Sequence, residues 1–327
     1  MFRRILLPLD GSSLAELALR HAESLAQACE AEVVLLRVLE PEPRSGGVPQ
    51  DVLAWDFRRV AAEASLAKVA ERFRSSGVRT SLAIEEGDAA ERILDYAREG
   101  EIDLLVLTSH GNGGVTEFEL AGTARKILSR APASVLLIPA RDRPAEHPDQ
   151  PLYRAVVALV DCSQRGECAV NIASRVARAG SAELVLVHVV PEPEMTARMP
   201  REAADLALIE AVILSNQRAA ERYLREARAR LSAPDHPVRV HTCVARDVEC
   251  ALTDFLSKER PELVVICANG STGKSDRAFG VVAQSLLTSA RIPLLVVQDA
   301  CASHRRDTHA AATVLEAHGQ RATARER

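Results

Sequence analysis

Arg4-Ile-Leu-Leu-Pro-Leu-Asp10 and Ala155-Val-Val-Ala-Leu-Val-Asp161 carry one pattern twice, a short apolar run that ends in an aspartate. Ala31-Glu-Val-Val-Leu-Leu-Arg-Val38 and Ala182-Glu-Leu-Val-Leu-Val-His-Val189 repeat with the same spacing of 151 residues. Further on, Asp103-Leu-Leu-Val-Leu-Thr-Ser-His-Gly111 matches Glu262-Leu-Val-Val-Ile-Cys-Ala-Asn-Gly270, and Ser134-Val-Leu-Leu-Ile138 matches Pro293-Leu-Leu-Val-Val297, now 159 residues apart. The second copy therefore holds about eight extra residues in its middle. A period this long is not that of a solenoid, and the pattern reads as one domain duplicated.

Each run is four to eight residues long and nearly continuous rather than alternating, which marks parallel strands buried on both faces. Helical patterns separate them. Ser13-Leu-Ala-Glu16 reads as a capping box before Leu14, Leu17, Ala18, His21, Ala22 and Leu25 at helical spacing. Asp88-Ala-Ala-Glu91 opens a helix that carries Ile93, Leu94 and Ala97 and stops at Gly100. Stretches 57–76 and 201–231 supply the remaining middle helices. The alternation predicts an α/β protein in which each half is an open five-stranded parallel sheet with helices on both faces and right-handed crossovers. The first domain is expected over 1–140 and the second over 152–299. Between them 141–151 form a linker broken by prolines, and 300–327 form a polar, Arg-rich tail.

A length of 327 residues suits two domains, and 47% hydrophobic residues with 26% charged suit packed globular ones. Aromatic residues make up only 3%, and 41 Lys plus Arg against 45 Asp plus Glu leave a net charge of −4 with no basic block. Stacking platforms and a phosphate-neutralising stripe are both lacking, so nucleic acid is not an expected partner. Seven cysteines without a C-x-x-C pair fit a reducing cytoplasm better than a disulfide framework or a structural zinc site. No apolar stretch is long enough for a membrane span.

In open α/β sheets ligands bind beyond the carboxyl ends of the strands. Asp10-Gly-Ser-Ser13 follows the first strand, where the carboxylate either caps the next helix or accepts hydrogen bonds from a ribose hydroxyl or a base amino group. Thr108-Ser-His-Gly-Asn-Gly-Gly114 and the helix that starts near Gly122-Thr123 form a second place, where backbone N–H groups and a helix dipole suit an anion.

With these residues the sequence resembles the universal stress protein family, whose tandem members carry two such domains, over roughly 2–140 and 152–299. The resemblance implies Rossmann-like domains of the adenine nucleotide alpha hydrolase-like kind, with strand order 3-2-1-4-5 and both loops at one crevice. Its nucleotide-binding members carry an Asp after strand one, a Val late in strand two, and a Gly-x2-Gly-x9-Gly-Ser/Thr phosphate loop. Onto this chain the resemblance carries Asp10 and Val38 for adenosine and Gly111, Gly122 and Thr123 for phosphate in the first domain. In the second it carries Asp161, Val189, Gly270 and Gly280. Thr108 and Cys267 stand where the first glycine would be, ten residues instead of nine separate Gly111 from Gly122, and Val281 replaces the hydroxyl residue.

Asn269-Gly-Ser-Thr-Gly-Lys-Ser275 imitates the end of a P-loop, but the first glycine of that motif falls at Ala268 and the run 276–280 interrupts the helix it would need. His110 has no carboxylate partner in sequence, His188 lies inside a strand run, and Cys267 reads as packing. No nucleophile elbow, metal-ligand spacing or paired carboxylates appear, so a dedicated enzyme is not expected. The expected function is a stress-response or regulatory protein that binds ATP in at least one domain, as a monomer or homodimer. The alternative is a nucleotide-independent interaction protein whose two pockets have decayed.

Overall fold

The computed structural model describes residues 2–41, 52–109, 122–139, 151–193, 203–270, 278–289 and 291–298. The first half runs β1 (Arg4–Pro8), α1 (Ser13–Cys29), β2 (Glu32–Leu39), α2 (Val52–Ser75), β3 (Thr80–Glu86), α3 (Ala89–Glu99), β4 (Leu104–Thr108), α4 (Gly122–Arg130) and β5 (Ser134–Ile138). The second runs β6 (Ala155–Leu159), α5 (Gly166–Ala179), β7 (Glu183–Pro191), α6 (Ala203–Leu231), β8 (Val238–Ala245), α7 (Val248–Glu259), β9 (Leu263–Cys267), α8 (Val281–Thr288) and β10 (Leu294–Val297). The parallel α/β alternation read from the repeat is present in both halves.

Within each half the strands pair in parallel, β3-β2-β1-β4-β5 and β8-β7-β6-β9-β10, the doubly wound 3-2-1-4-5 order. The two sheets are not separate. Strands β5 and β10 pair antiparallel, with Leu136 opposite Leu295, Val135 opposite Val296 and Leu137 opposite Leu294, and so build one ten-stranded sheet. A fifth strand left at an open edge would present unpaired N–H and C=O groups along a segment that is buried throughout, and the second domain covers that edge. Gln298 adds two bonds across the joint, its N–H to Ser134 Oγ at 2.9 Å and its Nε2 to the Ala131 carbonyl at 3.1 Å.

The two-residue period of the strands sends alternate side chains into two cores. Ile5, Leu7, Val33 and Leu35 pack with α1, α2, α5 and α6 on one face. Leu6, Val34 and Leu36 pack with α3, α4, α7 and α8 on the other. Both cores run across the two halves. On the first face His21 of α1 and Tyr153, just before β6, meet at 2.8 Å between Nδ1 and the phenol oxygen, both buried. The start of each β1-type strand is held by the acid that opens its neighbour: Asp103 Oδ2 accepts from the Arg3 and Arg4 amides, and Glu262 Oε2 from those of Arg154 and Ala155.

Helix starts show how far local signals reach. Asp88 caps α3 as expected, its Oδ1 accepting from the Glu91 amide at 3.1 Å, and Gly100 ends that helix. Helix α1 begins at Ser13 with Ser12 as N-cap and no side-chain cap bond from it, and the side chains of 13–16 fall outside the described residues. Helix α2 starts at Val52, earlier than the pattern from Phe57 suggested, because Leu53 and Phe57 are exposed and give no core-facing stripe there. The second half of α6 buries Ala220, Leu224, Ala227 and Leu231 and leaves its charged residues outside, the solvated face that the Glu- and Arg-rich composition suggests.

One buried histidine gives the fold a pH dependence. His236, in the turn between α6 and β8, is buried with its Nδ1 unpartnered. Burial, and then the charge of Arg178, lower its pKa below the usual 6.5. In the unfolded chain it takes up a proton as pH falls through about 6.5, while the folded chain resists until lower pH. Its contribution is therefore fully present above that point and is lost as pH falls toward the folded pKa. Melting temperatures recorded between about pH 8 and pH 5 are expected to fall less steeply on the acid side for His236→Gln than for the native chain.

Candidate functional site

The site begins where β1 stops. Asp10 folds back on the following turn, its Oδ1 accepting the Ser12 amide at 2.9 Å. Gly11 makes that turn at φ +79°, a left-handed conformation that a side chain strains. The matching residue of the second half is Cys162, which adopts φ 59° with its side chain. Burial, helped by the Asp161 carboxylate, pushes the Cys162 thiol up to about 11, so it stays protonated and unreactive near neutrality.

Beside Asp10, a cavity of about 260 Å³ opens between the carboxyl ends of β1 and β2 and the side of α2. Leu9, Gly11 and Val38 form its strand side, and Ala62 and Leu66 its helix side. Two arginines also reach it, Arg37 from β2 and Arg58 from α2. Arg37 donates through Nη1 to the Leu9 carbonyl at 3.0 Å and passes over Gly11, where an added Cβ would stand 3.0 Å from that nitrogen. The sequence reading overlooked both arginines; Arg37 was detectable as the lone cation inside the apolar run of β2.

The neighbouring loop follows β4, which pairs with β1 and brings Thr108 to the same end of the sheet. Gly111 and His110 lie outside the described residues. Gly122 opens α4 and, with Thr123, is exposed. No described atom lies within 4 Å of a Cβ placed on Gly122, so packing does not require a glycine there.

In the second half the corresponding parts close on one another. Asp161 Oδ1 accepts from the Ser163 amide at 3.1 Å and the Ser163 hydroxyl at 2.6 Å, and Ser163 Oγ in turn accepts from the Gly166 amide. The carboxylate is wedged between two glycines: a Cβ on Gly166 would stand 2.9 Å from Oδ1 and one on Gly270 2.9 Å from Oδ2. Asp161 and Gly270, 109 residues apart in the chain, thus meet directly. Val189 is buried in the core, unlike the half-buried Val38. Gly280 caps α8 and donates its amide to the Ala268 carbonyl at 2.7 Å. His188 is half-buried and tied to the Val160 carbonyl at 2.8 Å, and Cys267 is buried among core residues. Residues 271–277 of the P-loop-like run lie outside the described residues.

A groove of about 520 Å³ lies apart from both aspartates, between Ser129 of α4 and Phe279, Val281 and Ser285 at α8. Among the described residues no three His, Cys, Asp or Glu side chains gather as a metal site, and no helix is long and apolar enough to cross a membrane.

The comparisons agree with the fold and with its duplication. The family model described as the universal stress protein family matches residues 1–139 and again 152–298. A universal stress protein of Thermus aquaticus is 36% identical over 140 residues, which is 42% of this chain and 99% of the relative. Another, from a Synechocystis strain, is 31% identical over 140 residues, 42% of this chain and 87% of the relative. Both relatives are thus about one domain long. A solved universal stress protein of Archaeoglobus fulgidus aligns over 90% of this chain and 98% of its own, with a TM-score of 0.59 and 18% identity. A putative one of Pseudomonas aeruginosa aligns over 91% and 93%, with a TM-score of 0.63 and 18% identity. At those identities the structural likeness speaks for the fold. Since one family's model accounts for both copies of the repeat, the chain belongs to the universal stress protein family, with two domains in tandem.

Proposed function

We propose that the chain binds an adenine nucleotide in its first domain, as a regulatory ligand rather than a substrate. The cavity beside Asp10 carries this reading, because Gly11 and Val38 line it beyond the carboxyl ends of β1 and β2, where open α/β sheets bind ligands. Its volume, about 260 Å³, lies just under the usual range of about 300–1,000 Å³ for ligand pockets and suits a nucleoside with its phosphates outside. Those phosphates would meet the first turn of α4 at Gly122 and Thr123, where first-turn amides and the helix dipole favour an anion. The second domain has a different part. Its aspartate is occupied by Ser163 and packed against Gly270, and its fifth strand covers the edge of the first sheet, which supports a scaffold role for that half. No disulfide joins the six described cysteines, as suits a protein kept in a reducing cytoplasm.

ATP titrated into the full chain by calorimetry tests this reading. Saturable binding is expected, weakened about tenfold or more by Asp10→Ala through loss of a charge-assisted hydrogen bond. Gly122→Asp is expected to weaken binding without lowering stability, since an acid suits the helix N-terminus but repels phosphate. No saturable heat and no rise in melting temperature at millimolar ATP would favour the nucleotide-independent alternative. Binding that survives both substitutions would move the site to the second domain.

A further inference from the structure

The wall of the first-domain cavity can be followed residue by residue into the second half. Leu9 donates its amide to the Leu36 carbonyl and Val160 to the Val187 carbonyl, so β1, β2 and the turn after β1 recur 151 positions later. Val33 pairs with Thr80 and Leu184 with Val238, which sets the offset of α2 and β3 at 158. The buried Ala62, Leu66 and Phe73 of α2 then fall on the buried Ala220, Leu224 and Leu231 of α6. On this register eight of the ten lining positions keep their residue or exchange it for a smaller one, as Arg58 does for Asn216. Two grow: Gly11 becomes Cys162, and Ser65 becomes Tyr223.

Tyr223 is fixed where it stands. Its hydroxyl donates to Glu167 Oε1 at 2.7 Å, and Arg230 Nη2 donates to the other oxygen of that carboxylate at 2.6 Å. Glu167 lies in the first turn of α5, so the side chain reaches from α6 to the start of α5, close behind the turn that carries Cys162. The ring is half-buried against the core that α1 and α5 share. Burial, and then the Glu167 carboxylate, raise the phenol pKa above its ordinary range, and a charge on Cys162 acts in the same direction. The hydroxyl therefore stays a donor to Glu167. A cavity of about 150 Å³ holds a benzene molecule, so one phenol ring takes more than half of a space of about 260 Å³, the size of the first-domain cavity.

The strand-end turn itself is alike in both halves, since Asp161 accepts the Ser163 amide as Asp10 accepts the Ser12 amide. The difference lies in the helix wall. We propose that Tyr223 is a built-in plug, whose ring fills the second-domain crevice where the first domain leaves room for a nucleoside, and that it limits the chain to one nucleotide. This rests on the nucleotide reading above and names the residue that confines it to one half.

Tyr223→Ser imports the first-domain residue, and Tyr223→Phe keeps the ring without its hydroxyl. Two readouts on the full chain separate the plug from the ligand: the rate at which N-ethylmaleimide alkylates Cys162, followed by mass spectrometry of its peptide, and the number of ATP molecules bound in calorimetry. In the Ser variant Cys162 is expected to react about tenfold or more faster than in the native chain, because the thiol loses the burial that keeps it protonated, while the buried Cys29 and Cys267 stay unreactive. In the Phe variant its rate is expected to stay within about twofold of native. Bound ATP is expected to rise from one per chain to two in the Ser variant and to stay at one in the Phe variant. Circular dichroism checks that each variant is folded, and the reciprocal Ser65→Tyr, expected to weaken ATP binding about tenfold or more, carries the test if Tyr223→Ser does not fold. Cys162 no faster in the folded Ser variant, Cys162 equally fast in the Phe variant, a second ATP on the native chain, none gained by the opened Ser variant, or ATP binding untouched by Ser65→Tyr would overturn the proposal and leave the nucleotide reading standing. ATP bound by none of these proteins would remove that reading and with it the limit to one ligand, and the Cys162 rates would decide alone whether Tyr223 fills the crevice.

Discussion

Leu136→Ala is expected to destabilise the whole chain by about 2–5 kcal/mol, the range for emptying a fully buried leucine site. Leu136 sits at the centre of the joint between the two sheets, opposite Leu295, and both are completely buried. Because the sheet and both cores continue through that joint, the native chain is expected to melt in one calorimetric transition, which the substitution moves as a unit. Leu295→Ala should act similarly, and the double variant should depart from additivity because the two side chains face each other. Two separate transitions, one of them untouched by Leu136→Ala, would show that the halves fold independently.

Tyr153→Ala comes next, at about 3–5 kcal/mol for truncating a buried aromatic side chain. Tyr153 is the bulkiest of the completely buried residues, and its ring lies 5.6 Å from that of His21 in the other half. Tyr153→Phe separates the ring from the hydroxyl. It keeps the packing but withdraws the partner of His21 Nδ1, at a cost of about 1–3 kcal/mol for a buried polar group left unmet. Chemical denaturation of the three proteins checks the order native, Phe variant, Ala variant. A Phe variant as stable as the native chain would mean that the bond between the halves contributes nothing net.

Much of this architecture was legible because buried parallel strands write themselves as continuous apolar runs, and because the runs occur twice in register. The ends of the elements were less so. Asp88 and Gly100 mark α3 by their own chemistry, whereas the exposed apolar residues that begin α2 carry no such mark. The joining of the two sheets was not read, although Ser134-Val-Leu-Leu-Ile138 is too apolar to serve as an open edge, and its need for a partner was visible in principle. Antiparallel pairing of β5 with β10 joins residues 157 to 161 positions apart in the chain, beyond what local periodicity reports.

The site was legible at its aspartates and less so around them. Asp10 and Asp161 occupy equivalent strand ends, but their surroundings differ through residues that look incidental in sequence. Ser163, Gly166 and Gly270 enclose the second carboxylate, while Arg37 and Arg58 border the first cavity. A repeat reveals common ancestry of two positions; it does not reveal which side chains from α2 or α5 will turn toward them. Duplication here has produced two crevices with different contents rather than the same pocket twice.

Amide nuclear magnetic resonance spectra of the full chain, recorded as ATP is added, test the central claim most directly. The account predicts shifts confined to the first-domain crevice, at Gly11, Val38, Leu39 and Thr123, with Cys162 and Gly270 unmoved. Shifts at Cys162 and Gly270 with Gly11 and Val38 silent, or no shifts at all at millimolar ATP, would contradict it.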